Sequence, residues 1–142
     1  MSEYDTSVPS PLAWKKYYSE QSQRCQDSRI KAFYEAGVVE PSTPLSNVPF
    51  VALDFETTGL NAQDHSIVSA GLVPFTLARI HCRKASHFIV KPRQKLLSES
   101  VTIHGITHSD VKEAPDLDDI LHEFLPKLAQ QVVVVHYRQI ER

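Results

Sequence analysis

The chain has 142 residues, 23 % of them charged and 42 % hydrophobic, with a formal net charge of -2; this is the composition of a single soluble domain able to bury a sizeable core. That balance excludes a strongly basic nucleic-acid coat, so any nucleic acid has to be held by local contacts and metal ions. No stretch approaches the roughly 18 apolar residues of a membrane helix, the start Met1-Ser2-Glu3-Tyr4-Asp5 lacks the regions of a signal peptide, and Cys25 and Cys82 show no metal or redox spacing; a cytoplasmic protein with free thiols and no membrane partner is the simplest expectation.

Residues 1–10 carry Ser, Thr and Pro and read as a loose terminus. Ser10-Pro11 is a helix start, with serine as N-cap and proline at the first helical position. Trp14, Tyr17 and Tyr18 follow at helical spacing, Ile30, Phe33 and Tyr34 repeat it, and Gly37 can end the run. Asp27-Ser28 offers a break into two helices. The aromatic stripe is expected to pack on the domain core; a helical arm for a protein partner, within residues 1–48, is the alternative. Residues 38–48 hold two prolines and several small polar residues and read as a linker. The chain thus divides into a helical N-terminal extension, 1–48, and a main domain, 49–142.

The first strand is predicted over about Phe50–Glu56, apolar on both faces like a central strand. Ile67–Leu77 and Ala85–Val90 read as second and third strands, joined by links short enough for an antiparallel meander. Lys91–Thr107 reads as mostly loop with a short helix. Asp116–Gln130 is predicted helical: acids crowd its first turns, and Leu117, Ile120, Leu121, Phe124 and Leu128 form its apolar face. Val132-Val133-Val134-Val135 is expected to be a fully buried strand from its β-branched run. Reached through a helix, it should run parallel to an earlier strand.

The chemistry concentrates in Pro49-Phe50-Val51-Ala52-Leu53-Asp54-Phe55-Glu56-Thr57-Thr58-Gly59-Leu60. An acid in an apolar strand is costly to bury unless it meets a metal, a hydrogen-bond network or a cation. Asp54 and Glu56 are two residues apart, so in a strand they project from one face, with Cα atoms about 7 Å apart. Hard divalent cations take such carboxylate oxygens. Asp-x-Glu alone is common; the hydrophobic strand before it and the Thr-Thr-Gly-Leu after it make it more specific. Gly59 permits a tight turn, the small threonines let a ligand approach the backbone, and Leu60 is placed to pack against a flat base.

Leu53-Asp54-Phe55-Glu56-Thr57-Thr58-Gly59-Leu60 resembles the first motif of the DEDD superfamily of 3′–5′ exonucleases, which includes the epsilon subunit of bacterial DNA polymerase III and ribonuclease T. Asp64-His65-Ser66-Ile67-Val68-Ser69-Ala70-Gly71-Leu72-Val73 is similar to the family's second strand, and Val101-Thr102-Ile103-His104-Gly105-Ile106-Thr107 to its His-x-Gly-Ile-Thr segment. The resemblance covers residues 49–142, and the strand ending in Val135-His136 falls where the second motif belongs.

The resemblance implies that Asp54 and Glu56 are catalytic metal ligands. The second-motif acid, usually an Asp five positions after its His, falls here on Glu141, and Tyr137 stands where an Asn often follows that His. The third motif, a His and a final Asp, has no counterpart before Arg142. The chain would then be a fragment, a shortened version or a degenerate protein, with a longer natural protein expected. Two divalent ions, Mg²⁺ or Mn²⁺, would be held by Asp54, Glu56 and Glu141, with Asp54 bridging them, and a histidine beyond Arg142 would take the proton from water. Backbone amides around Thr57 and Thr58, with Gly59 and Leu60, would hold the terminal nucleotide, and His104 would order the site or touch substrate. His136, at a strand end, is expected to pack or hydrogen-bond, while His65, His81, His87, His108 and His122 are expected to be surface residues. Arg83, Lys84, Lys91, Arg93 and Lys95 form the only basic concentration; a solvated face is the bland reading, a seat for strand phosphates the sharper one.

The expected fold is α/β of the ribonuclease-H-like type, a mixed sheet flanked by helices with a helical N-terminal extension. The expected function is a metal-dependent 3′–5′ exonuclease acting on 3′ ends of single-stranded DNA or RNA and releasing nucleoside monophosphates. The alternative is a catalytically impaired module on the same scaffold that binds nucleic acid or recruits a partner.

Overall fold

The computed structural model describes residues 13–59, 64–94, 104–137 and 140. The expected loose start, the Ser10-Pro11 cap, Leu60, Lys95, the Val101–Ile103 stretch and Glu141 lie outside the described residues. Among the described residues no helix is long and apolar enough to cross a membrane.

The N-terminal helices are α1 (Trp14–Arg24) and α2 (Ser28–Glu35). They divide at Asp27, whose carboxylate caps α2 by accepting the Arg29 N–H at 2.8 Å. Gly37 closes the hairpin with a φ of 81°, a left-handed conformation that glycine tolerates. The aromatic stripe does not enter the sheet core, and neither helix contains a fully buried residue. The rings pack on one another instead: Tyr18 lies 5.0 Å from Tyr34 and 5.8 Å from Phe33, and Trp14 lies 5.7 Å from Tyr17 between ring centroids. Two short helices with facing stripes satisfy each other, which leaves the stripe half-buried.

The segment predicted as linker holds a 3₁₀ turn, Leu45–Asn47, and leads into β1 (Phe50–Thr57). Next come β2 (Ile67–Thr76), the two-residue β3 (Arg79–Ile80), which sequence patterning did not show, a 3₁₀ turn at Cys82–Lys84, and β4 (Ser86–Ile89). Among the described residues, α3 (His108–Lys112) and α4 (Leu117–Leu128) follow, and then β5 (Val132–Val135). Thr107 and Asp110 start α3 by bonding each other's backbone amides.

β1 is central. It pairs antiparallel with β2 and parallel with β5, and β2 carries β3 and β4 on its other edge. The antiparallel start and the parallel return through a helix both match expectation.

The register assigns the two faces. Leu53 stands opposite Leu72 and Val135, and Phe55 opposite Ala70, which itself pairs with Phe88. With Val51 these residues pack against Ile120 and Phe124 of α4; Phe124 meets Phe55 at 6.3 Å and Phe88 at 5.8 Å between ring centroids. Side chains as fully buried as Val51 and Leu72 each contribute about 1.5–3 kcal/mol. A smaller cluster joins Val68 and Val111 with Ile89 and Ile106, and so fastens α3 to the β2–β4 part of the sheet.

The expectation of a fully buried β5 is not met: Val132, Val133 and Val134 are 39 %, 38 % and 42 % exposed. A β-branched run reports strand propensity, whereas burial depends on what lies alongside, and β5 ends the described sheet.

Among the described residues, Arg29 and Gln130 tie the hairpin to the sheet domain. The Arg29 guanidinium donates to the Asp118 carbonyl at 2.6 Å and its carboxylate at 2.9 Å while also donating to Asp27. The Gln130 amide donates to the Ala36 carbonyl at 2.6 Å, from a backbone with a φ of 56°.

Candidate active site

Asp54 and Glu56 occupy the face of β1 turned away from α4. Their partners on β2 are Gly71 and Ser69, small residues that leave room above the carboxylates. Asp54 is exposed and Glu56 half-buried. Asp54 lies in a groove of about 450 Å³ lined by Ala52, Gly71, Val73, Val134 and His136 among others. His136 directly follows Val135, the partner of Leu53, so the end of β5 stands beside the carboxylates as expected. His136 is exposed, and the packing expected of it is not seen.

The donor chemistry fits a divalent cation. Asp54 and Glu56 present oxygens from one face, and among the described residues no cation or hydrogen-bond donor meets either carboxylate. Paired acids without a partner repel unless a positive ion lies between them. Among the described residues no third His, Cys, Asp or Glu completes a metal-binding group; the expected third acid, Glu141, lies outside them.

The turn after β1 is built differently from the sequence expectation. The Thr58 amide donates to the Ser66 carbonyl at 2.9 Å, and its hydroxyl accepts the Ser66 N–H at 3.0 Å. Thr58 is 1 % exposed, so both groups are spent inside the protein. The Thr57 hydroxyl donates to the Gly59 carbonyl at 2.7 Å. Gly59 is not one of the positive-φ glycines, which are Gly37 and Gly105 among the described residues. Its lack of a side chain matters for another reason: a Cβ there would stand 2.5 Å from Nε2 of His65.

His104 is half-buried, and its Nδ1 accepts the Ile106 N–H at 3.0 Å. Ile106 belongs to the cluster containing Ile89, and Ile89 pairs with Ser69, the partner of Glu56. The His104–Thr107 segment is therefore fastened to the sheet on the Glu56 side.

Two features escaped sequence reasoning. His65 covers Gly59 rather than standing as a plain surface residue. Lys91 and Arg93 separate from Arg83 and Lys84 and line, with Thr57, Gly59 and His65, a cavity of about 380 Å³ beside the same turn. The spacing Lys-Pro-Arg is the one local hint, because an extended residue before proline sends its neighbours at i and i+2 to one side.

This architecture is shared with solved nucleases. Exonuclease X in complex with 5′ overhanging duplex DNA matches at a TM-score of 0.54 and 24 % identity, over 66 % of this chain and 51 % of that one. Cell-death related nuclease 4 matches at 0.56 and 23 %, over 64 % and 36 %. The fold is that of the ribonuclease-H-like exonucleases. In sequence, the DNA polymerase III PolC-type of Thermotoga petrophila is 34 % identical over 90 residues, 63 % of this chain and 6 % of that protein. The DNA polymerase III subunit epsilon of Rickettsia prowazekii is 31 % identical over 93 residues, 65 % of this chain and 40 % of the relative. The chain thus spans well under half the length of either relative. The RNase T family, described as exonuclease, matches residues 51–140, and the chain belongs to this family within the DEDD superfamily of 3′–5′ exonucleases.

Proposed function

We propose that this chain carries the first part of the active site of a metal-dependent 3′–5′ exonuclease. The observation that supports the reading most is the pair Asp54 and Glu56, without a partner among the described residues on the open face of the central strand beside the end of β5. Asp54 and Glu56 would hold one or two divalent ions, Mg²⁺ or Mn²⁺, with Glu141 as third acid. Such ions, when bound, supply Lewis acidity that makes a water nucleophilic near neutral pH and stabilises a leaving 3′ oxygen.

The chain's own residues position the strand. Thr57 and Gly59 form the edge against which the terminal nucleotide rests, and Leu60, next in sequence, would add an apolar contact to its base. Thr58 acts beneath them: its bonds to Ser66 hold the turn, so its amide does not bind the nucleotide. His104 orders the segment on the Glu56 side through the bond from Ile106. The substrate is a single-stranded 3′ end of DNA or RNA, and each step releases a nucleoside monophosphate. The N-terminal hairpin, tied to α4 through Arg29, supports the sheet domain from behind.

The test is a cleavage ladder from 5′-labelled single-stranded DNA and RNA with Mg²⁺ or Mn²⁺, with calorimetric Mn²⁺ titration beside it. The wild-type chain should take up Mn²⁺, and the same chain extended by the remainder of an exonuclease domain should shorten the strands from their 3′ ends; Asp54→Ala should do neither in either form. Mn²⁺ uptake without cleavage would move the reading to the binding or recruitment module. Uptake or cleavage retained in Asp54→Ala would overturn the site.

A further inference from the structure

The turn after Glu56 has two sides. The carboxylates lie on one, and the cavity of about 380 Å³ lined by Thr57, Gly59, His65, Lys91 and Arg93 lies on the other. Its size is within the range of small-ligand pockets. Lys91 is anchored by its own amide, which donates to the Pro115 carbonyl at 2.8 Å, just before α4. Pro92 restricts the backbone of Lys91 to extended forms, and both cations reach the cavity while Pro92 does not line it.

The charge balance of the cavity lining is positive. Lys15, Lys16, Arg29 and Lys31 each have a carboxylate within 4 Å. Among the described residues Lys91 and Arg93 have none. One acid, Asp116, shares the lining, which leaves two fixed positive charges against one negative. The rest of the lining mixes polar Thr57 and Ser66 with apolar Ile67 and Leu117; two cations converging on such a concave site are suited to a phosphate, and arginine can grip two of its oxygens together.

We infer that Lys91 and Arg93 seat an internal backbone phosphate of the strand whose 3′ end lies over Asp54 and Glu56. The inference rests on the exonuclease reading and extends it: the strand crosses the Thr57–Gly59 turn, with its end on the acidic side and an earlier phosphodiester on the basic side. His65, packed over Gly59, shapes the rim between the two. A phosphate in this cavity could come from the strand or from a free nucleoside monophosphate, and the strand is the source proposed.

The test is fluorescence anisotropy of a labelled oligothymidylate in EDTA, over a range of salt concentrations, with thymidine 5′-monophosphate titrated separately. Lys91→Ala/Arg93→Ala should bind the oligonucleotide on the order of tenfold more weakly, with a salt slope shallower by about 0.7, the expectation for one lost single-strand phosphate contact. Lys91→Arg/Arg93→Lys should keep the slope. Arg83→Ala/Lys84→Ala, which removes equal charge from the exposed turn at Cys82–Lys84, should bind as wild type. Unchanged affinity and slope in Lys91→Ala/Arg93→Ala would overturn the seat and leave the exonuclease reading standing. Absence of oligonucleotide binding by the wild type in EDTA would overturn the seat, while the exonuclease reading stands or falls on the Mn²⁺ titration and the cleavage ladder. A loss confined to the monophosphate would overturn the strand as source.

Discussion

The imidazole of His65 occupies the space that a side chain on Gly59 would need. A Cβ on Gly59 would stand 2.5 Å from Nε2 and 2.6 Å from Cε1 of that ring, closer than packed atoms tolerate. The turn that follows the carboxylates is thus closed by contact with the start of β2, in addition to its own hydrogen bonds.

Gly59→Ala should therefore force the His65 ring to rotate. The expected cost is about 1 kcal/mol, the low end of the overpacking range, because an imidazole can swing aside where backbone cannot. Adding His65→Ala should recover most of it. Urea unfolding of the two single variants and the double variant checks this, and purely additive effects would show that the contact carries no energy.

Thr58 should matter for stability more than its size suggests. Thr58→Val keeps the shape but leaves the Ser66 N–H without its acceptor. A loss of about 1–3 kcal/mol is expected, with Thr58→Ser close to wild type. Equal midpoints for the valine and serine variants would contradict the bond.

Asp54→Ala and Glu56→Ala should leave the unfolding midpoint of the metal-free chain within about 0.5 kcal/mol of wild type, since neither carboxylate has a partner among the described residues to lose. Adding Mn²⁺ at a hundredfold excess over its dissociation constant should stabilise the wild type by about 2.7 kcal/mol and the variants by far less. Chelation should return the wild type to its metal-free midpoint.

The Asp27–Arg29 pair at the start of α2 should weaken in acid. The Arg29 side chain, hydrogen-bonded to Asp27, is the main cause holding that carboxyl below the usual carboxylate range. A lowered folded value means that the stabilisation is complete above the unfolded value of about 4 and is lost as pH falls through the lowered one. Trp14 is the only tryptophan and sits in α1, so its fluorescence reports the hairpin. A wild-type change below about pH 4 that flattens in Arg29→Ala is expected; identical profiles would dissociate the pair from this titration.

Much of this arrangement was legible because short-range periodicity encodes it. Alternation in Phe50–Glu56 puts Asp54 and Glu56 on one face whatever surrounds the strand, and the spacing of Leu117, Ile120 and Phe124 fixes which side of α4 meets the sheet. Asp27-Ser28 marked the break between α1 and α2 for the same local reason. Features made by distant approach were not legible. Nothing in the chain near Gly59 says that His65 will cover it, or that Ser66 will consume the Thr58 amide. The exposure of Val132–Val134 is a matter of position in the sheet, and the aromatic stripe gave the helical face but not its neighbour.

The outer flank of β5 has a practical consequence. Among the described residues it borders no strand, and its side chains are four consecutive valines carrying no charge. Natural proteins guard such an edge with lysine, proline or a bulge, and none of these interrupts Val132–Val135. A second molecule could add its own valine run there, so the isolated 142-residue chain should self-associate as its concentration rises. A lysine at Val133 would be the direct remedy for anyone wishing to keep it monomeric.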